Sequence, residues 1–145
     1  MCCGDENLTM RGGLAETVRL AASRAVLDEA RRYLQARPGR AVVTSAGDLP
    51  ARCIFHGITT GSRDGPGRAS RDPIRQVLDS CLYQADCLHV RTMAVPLLDA
   101  ATSGLDPASF LDAIFHVLVR SIASGWTGID EARIVLPVDP THQQR

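Results

Sequence analysis

The sequence predicts an α/β fold in which a mostly parallel mixed sheet is covered by helices on both faces. Short apolar runs typical of strands alternate with longer segments whose apolar residues recur at helical spacing. Strands separated by amphipathic helices need crossover connections, which make neighbouring strands parallel. One such unit, a strand followed by a small-residue loop and a helix, spans residues 93–107. The 145 residues are expected to form a single domain, residues 1–145.

The expected elements follow one another along the whole chain. Residues 1–13 contain glycine and small polar residues and are expected to form a loop. Residues 14–36 have helical spacing, and Ser23 is a candidate N-cap for a second helix within them. Gly125 is expected to end the last helix. Strands are predicted at residues 41–44, 52–58, 93–98 and 132–136, and further helices are predicted to begin at Asp72-Pro73 and Asp106-Pro107.

The loop at residues 99–104 is placed where an anion would bind. It follows the predicted strand 93–98 and precedes a helix with Asp106 as N-cap and Pro107 at the first helical position. Loop and helix N–H groups converge at such a point, and the helix dipole adds partial positive charge. Ligands of open α/β sheets bind beyond the carboxyl ends of the strands. We interpret this loop as the remnant of a phosphate-binding loop.

Composition excludes several classes of partner. The formal net charge is zero, so nothing attracts the chain generally to nucleic acid or to acidic membranes. No apolar run approaches the ~20 residues of a membrane helix. The five cysteines form no C-x-x-C pair, and their odd number argues against a disulfide framework, which indicates a reducing cytoplasm. No histidine pair has the spacing of a metal site, so we assign neither a metal nor a cofactor.

Three segments follow one another in an order that carries a family resemblance. They are residues 5–14 before a helix, residues 41–56 ending in a strand with His56, and residues 95–105 before the last helix. Together they resemble the macro domain family, which binds ADP-ribose and related NAD metabolites. The resemblance implies a three-layer α/β/α sandwich and a binding module for ADP-ribose or a related NAD-derived nucleotide.

The two binding loops match the family in position but are degenerate in sequence. Family members read Asn-Ala-Ala-Asn and then a Gly-Gly-Gly turn, whereas this chain has Cys2 to Asp5 and later Arg11-Gly12-Gly13. The second family loop is close to Gly-x-Gly-x-x-Gly, and only Gly104 remains of it here. Because glycines let backbone N–H groups approach a pyrophosphate, we expect weak binding. The ligand-binding residues implied by the resemblance are Asp5, Gly12, Gly13, Leu14, Leu98, Asp99, Ala100, Ala101, Thr102, Ser103, Gly104, Leu105 and Pro137.

Two alternatives to a nucleotide-binding module remain open. One is a catalytically inactive pseudo-domain that serves protein association. The other is an ADP-ribosyl hydrolase, for which Asp5 and Glu16 are the candidate catalytic carboxylates. Hydrolytic relatives often carry a carboxylate directly after the glycine turn, and this chain has Ala15 there. We therefore expect a binding protein rather than an enzyme.

The N-terminus departs furthest from the family pattern. The family has strands ahead of the Asn-Ala-Ala-Asn motif, and one of them lies between the strands that match residues 52–58 and 93–98 here. The resemblance thus implies a macro domain whose N-terminal strands are missing, with unpaired backbone groups at a buried position. We expect a partner chain or a homo-oligomer to complete the sheet, unless the sheet is rearranged.

Overall fold

The computed structural model describes residues 1–33, 36–60, 71–97 and 106–136. Strands and helices are interspersed along them, with α1 followed directly by α2 and β2 followed directly by β3. The elements are β1 (Cys2–Asp5), α1 (Gly13–Ala21), α2 (Arg24–Ala30), β2 (Ala41–Ser45), β3 (Cys53–Thr60), α3 (Arg71–Cys87), β4 (Thr92–Pro96), α4 (Pro107–Ser124) and β5 (Glu131–Val135).

The strands are mostly parallel, which confirms the predicted sheet type. β1 pairs with β3 in parallel, β4 pairs with β5 in parallel, and β2 pairs with β3 in antiparallel. The hydrogen-bonded order is β1-β3-β2 in one group and β4-β5 in the other. The two groups meet where the Met1 ammonium donates a hydrogen bond to the Ala94 carbonyl at 2.6 Å. β1 therefore lies between β3 and β4.

The expectation that residues 1–13 form only a loop is wrong, because Cys2–Asp5 is a strand. Cys2 and Cys3 are buried, and Cys2 stands opposite His56 in the ladder with β3. Four residues are too few to show the alternation that indicates a strand, and pairing with β3 supplies the conformation instead. These residues form a short strand that pairs with β3 and begins beside β4, where Met1 contacts Ala94.

Helices cover both faces of the strands, as expected for a three-layer sandwich. Phe55 and Val95 point to one face and pack in a core with α3 and α4. Cys2 and Ile54 point to the other face and pack against α1 and α2. Side chains of successive strand residues alternate between faces, so β1 and β3 contribute to both cores, whereas the clustered residues of β4 and β5 pack only on the side of α3 and α4. Within the described ranges, no helix is long and apolar enough to cross a membrane.

Two helix boundaries confirm the predicted capping chemistry, and one does not. The Asp106 side chain accepts a hydrogen bond from Ser109 N at 2.9 Å, with Pro107 opening α4. Gly125 ends α4 in the left-handed conformation, with φ 68°. Ser23 does precede α2, but it has φ 75° and its side chain makes no capping hydrogen bond. The break between α1 and α2 therefore depends on the backbone turn rather than on a serine cap.

Candidate functional site

A small cleft of about 160 Å³ lies beyond the carboxyl ends of β1 and β3. This is the edge of an α/β sheet at which ligands bind. β1 contributes its last residues, β3 contributes a buried threonine, and the first turn of α1 closes the cleft from the side. The lining residues are Cys3, Gly4, Asp5, Met10, Arg11, Gly12, Ala15 and Thr59.

The Asp5 carboxylate organises the loop that follows β1. Its Oδ1 accepts hydrogen bonds from Asn7 N at 2.8 Å and from Thr9 N at 3.4 Å, and its Oδ2 accepts one from the Thr9 hydroxyl at 2.5 Å. Leu8 N donates to the Asp5 carbonyl at 3.0 Å and closes the turn. Both carboxylate oxygens are thus engaged locally, while their remaining lone pairs can accept from a ligand hydroxyl.

The glycine turn places the N-terminus of α1 at the cleft. Gly12 and Gly13 have φ values of 76° and 54°, which side chains with a Cβ rarely adopt. A Cβ built on Gly12 would meet no atom within 4 Å, so open space lies beside it. α1 therefore directs its first N–H groups and its partial positive charge toward the cleft, with Arg11 alongside.

Glu16 has a structural role at the start of the same helix. Its Oε2 accepts a hydrogen bond from Gly12 N at 3.2 Å, and its Oε1 lies 3.1 Å from the Arg19 guanidinium. Glu16 does not line the cleft, whereas Ala15 does. The cleft consequently holds one carboxylate, that of Asp5, among the residues that the structure describes.

Two buried thiols of β1 and a buried imidazole of β3 lie in the strands that lead to the cleft. Burial raises the pKa of Cys2 to about 11 and also raises the pKa of Cys3, so both thiols stay protonated at neutral pH. His56 is buried in β3, and its Nε2 lies 2.8 Å from the Thr44 hydroxyl. Burial lowers the pKa of His56 to about 4, so the ring is neutral at pH 7. Burial therefore makes both thiols poor nucleophiles, and His56 is a buried structural side chain hydrogen-bonded to Thr44.

The structure brings together only part of the predicted site. Asp5 and Gly12 line one cleft, and Gly13 and Leu14 follow directly in the first turn of α1. Sequence reasoning did not assign Met10 or Thr59 to the site, since no local pattern connects β3 to the first loop. In the described part of the chain, no three histidine, cysteine or acidic side chains lie close enough to hold a metal ion. The predicted ligand residues Leu98, Asp99, Ala100, Ala101, Thr102, Ser103, Gly104, Leu105 and Pro137 lie outside the described residues.

The fold and the cleft define the class of protein: a three-layer α/β/α sandwich with a cleft suited to anions at the carboxyl edge of its sheet. A family model described as "Macro domain" matches residues 4–114. The chain belongs to the macro domain family.

Relatives of known sequence agree with the family assignment. A macro domain-containing protein from Streptomyces coelicolor is 32% identical over 135 residues, which cover 86% of this chain and 74% of that protein. An O-acetyl-ADP-ribose deacetylase from Salmonella gallinarum is 28% identical over 116 residues. That match covers 77% of this chain and 62% of the Salmonella protein.

Solved structures share the fold at low sequence identity. The Trypanosoma brucei macrodomain in complex with ADP-ribose superposes with a TM-score of 0.82 at 16% identity, covering 93% of this chain and 56% of that one. The Oceanobacillus iheyensis macrodomain with ADP gives a TM-score of 0.81 at 14% identity, covering 95% and 76%. This chain thus spans little more than half of the Trypanosoma protein.

Proposed function

We propose that this chain is a binding module for ADP-ribose or a related NAD-derived nucleotide, with weak affinity. The observation that supports it best is the cleft at the carboxyl ends of β1 and β3, into which the glycine turn directs the N-terminus of α1. Helix N-termini favour phosphate groups, and Arg11 adds a full positive charge. The solved macrodomains with ADP-ribose and with ADP have the same fold.

In this proposal the two ends of the cleft hold different parts of the ligand. Asp5 accepts from the hydroxyls of the distal ribose, and Gly12, Gly13 and Leu14 line the adjoining phosphate. Pro137, shortly after β5, lies near the adenine. The residues that follow β4, from Leu98 to Leu105, supply N–H groups to the diphosphate.

Weak affinity follows from the composition of the second loop. Ala100 and Ala101 stand where glycines would let the backbone approach the diphosphate closely. Asp99 adds a like charge: at about 4 Å and an effective dielectric constant of about 20, the repulsion is on the order of several kcal/mol. We expect a Kd for ADP-ribose on the order of 0.1 to 1 mM, or roughly 4 to 5.5 kcal/mol of binding free energy.

Calorimetric titration with ADP-ribose tests the proposal, and Arg11→Ala sharpens the test. Loss of this guanidinium is expected to weaken binding about tenfold, since it removes a charge-assisted contact to phosphate. Arg24→Ala on α2 is the matched control, because Arg24 is exposed and does not line the cleft. The proposal is wrong if ADP-ribose at ten times the expected Kd gives neither heat nor a thermal shift.

We propose further that the chain does not hydrolyse its ligand, although some relatives are named O-acetyl-ADP-ribose deacetylases. Asp5 uses both carboxylate oxygens to hold the loop at Thr9, and Glu16 caps α1 outside the cleft. Ala15 lines the cleft and offers no acid or base. These observations favour a binding role.

An acetate-release assay with O-acetyl-ADP-ribose is expected to show no turnover above the buffer rate. The Salmonella deacetylase run in parallel shows that the assay works. Release that is present in the wild type and lost in Asp5→Asn or Glu16→Gln would instead establish an enzyme.

We propose a second role in protein association, in which a partner chain or a second copy completes the sheet. The observation that supports it is a cavity of about 330 Å³ between the first residues of β3 and of β4, whose lining includes Met1, Phe55 and Ala94.

We also propose a cytoplasmic location. All five cysteines have free thiols, which supports a reducing compartment.

A further inference from the structure

Thr59 is a buried residue of the cleft whose position in the sheet is irregular. It lies near the end of β3, is only 4% exposed, and lines the cleft. In the ladder of β1 with β3, Gly4 stands opposite Ile58, whereas Asp5 stands opposite Thr60. Thr59 is therefore the extra residue of a β-bulge. Bulges are frequent next to active sites, where they redirect a side chain.

The Thr59 hydroxyl has no hydrogen-bond partner among the residues that the structure describes. Buried polar groups are nearly always paired, and Thr44 follows this rule, since its buried hydroxyl lies 2.8 Å from His56 Nε2. Within the described ranges, the buried side-chain atoms that are both unpaired and fully enclosed are Arg75 Nε and Ser121 Oγ. The Thr59 oxygen is not one of them, so it keeps access to the cleft.

Two polar side chains define which chemical group fits this end of the cleft. The Asp5 carboxylate only accepts hydrogen bonds, whereas the Thr59 hydroxyl both donates and accepts. A diphosphate has no proton to donate to Asp5 at neutral pH and carries a like charge, so it is repelled there. A sugar hydroxyl can donate to Asp5, and a neighbouring one can pair with Thr59. Arg11 and the N-terminus of α1 attract the phosphate instead.

We propose that Thr59 is a specificity-determining residue, whose hydroxyl binds a sugar hydroxyl of the ligand beside Asp5 and so selects ADP-ribose over ADP. The inference rests on the proposed function, since it concerns the ribose that nucleotide binding places in this cleft. The cleft, of about 160 Å³, is smaller than the roughly 300 Å³ at which pockets enclose a whole drug-sized molecule. It therefore holds one part of the ligand, of the size of a sugar.

Thermal unfolding of the free protein tests whether the Thr59 hydroxyl is unpaired within the fold. Thr59→Val keeps the size and the β-branched shape of the side chain and removes only the hydroxyl. Because no hydrogen bond within the fold is lost, the Tm of the free variant is expected to stay within about 2 °C of wild type or to rise. A larger fall in Tm would show that the hydroxyl stabilises the fold, and would overturn the inference.

Titrations with ADP-ribose and with ADP, followed by NMR at millimolar ligand, measure the selection. ADP lacks the distal ribose and does not extend to Asp5 and Thr59. Thr59→Val is expected to weaken ADP-ribose binding about fivefold, the loss of one neutral hydrogen bond, and to leave the Kd for ADP unchanged. Thr59→Ser keeps a hydroxyl and is expected to retain the wild-type ratio of the two Kd values.

Thr44→Val is the matched control. Thr44 is also 4% exposed, but its hydroxyl is paired with His56 and does not line the cleft. This variant is expected to have a lower Tm and unchanged Kd values. An unchanged Kd for ADP-ribose in Thr59→Val, or an equal loss for ADP, would overturn the inference and leave the proposed function in place. Absence of ADP-ribose binding in the wild type would overturn the proposed function and the role of Thr59 with it.

Discussion

Phe110→Ala is expected to lower the free energy of unfolding by about 3–5 kcal/mol, the cost of removing a large aromatic side chain from a closed core. Phe110 is fully buried in the first turn of α4 and packs in the core with α3 and the strands.

Urea unfolding of Phe110→Ala and of Phe115→Ala measures the effect against a matched control. Phe115 lies on the same helix but is 51% exposed. Its truncation is expected to change the free energy of unfolding by less than about 0.5 kcal/mol, because a half-exposed ring makes few buried contacts that its removal could lose. Similar losses in the two variants would mean that α4 does not bury the face that contains Phe110.

Acid is expected to destabilise the fold through His56, by up to about 3 kcal/mol between pH 7 and pH 4. Burial lowers the pKa of His56 from its ordinary 6.5 to about 4. The unfolded chain therefore binds a proton more readily than the folded chain throughout this interval, and stability falls as pH falls through it. Above pH 7 the ring is neutral in both states and contributes no further change.

The test is to measure the free energy of unfolding at several pH values in wild type, His56→Gln and His116→Gln. It shows whether His56 causes the pH dependence of stability. Acidic groups titrate in the same interval, so the informative quantity is the difference in slope between variants. His56→Gln is expected to lose the steepest part of the pH dependence, since glutamine cannot be protonated there. His116 is exposed on α4, and His116→Gln should keep the wild-type profile. An unchanged slope in His56→Gln would show that the buried imidazole is not the cause.

Much of the fold could be predicted because the signals are local. The helical spacing of apolar residues in α3, the Asp106-Pro107 start of α4 and the Gly125 stop are each encoded within a few neighbouring residues. The structure has all three, and the apolar residues of α3 are buried: Ile74, Val77, Leu78, Cys81, Leu82 and Ala85. Capping and helical periodicity act through contacts within one or two turns. They can therefore be recognised in the sequence without knowing which element packs against the helix. Family membership follows from the order of three such segments and is confirmed by the match to residues 4–114.

Features that depend on partners distant in the sequence could not be predicted. β1 is a strand because Cys2 and Cys3 lie beside β3, more than 50 residues later. Thr59 joins the cleft for the same reason, since its position at the end of β3 places it next to Asp5. The roles of Asp5 and Glu16 as loop and helix caps come from local hydrogen bonds, and they were not predicted because the same carboxylates also suit catalysis.

The amino-acid sequence by itself determined the α/β class, the helix boundaries at Asp106 and Gly125, and the family with its glycine turn. Tertiary structure alone decided that β1 pairs with β3 and begins beside β4, and that Asp5 and Gly12 share a cleft with Arg11. The physical reason is that helices satisfy their backbone hydrogen bonds within one segment, whereas strands satisfy theirs only across segments.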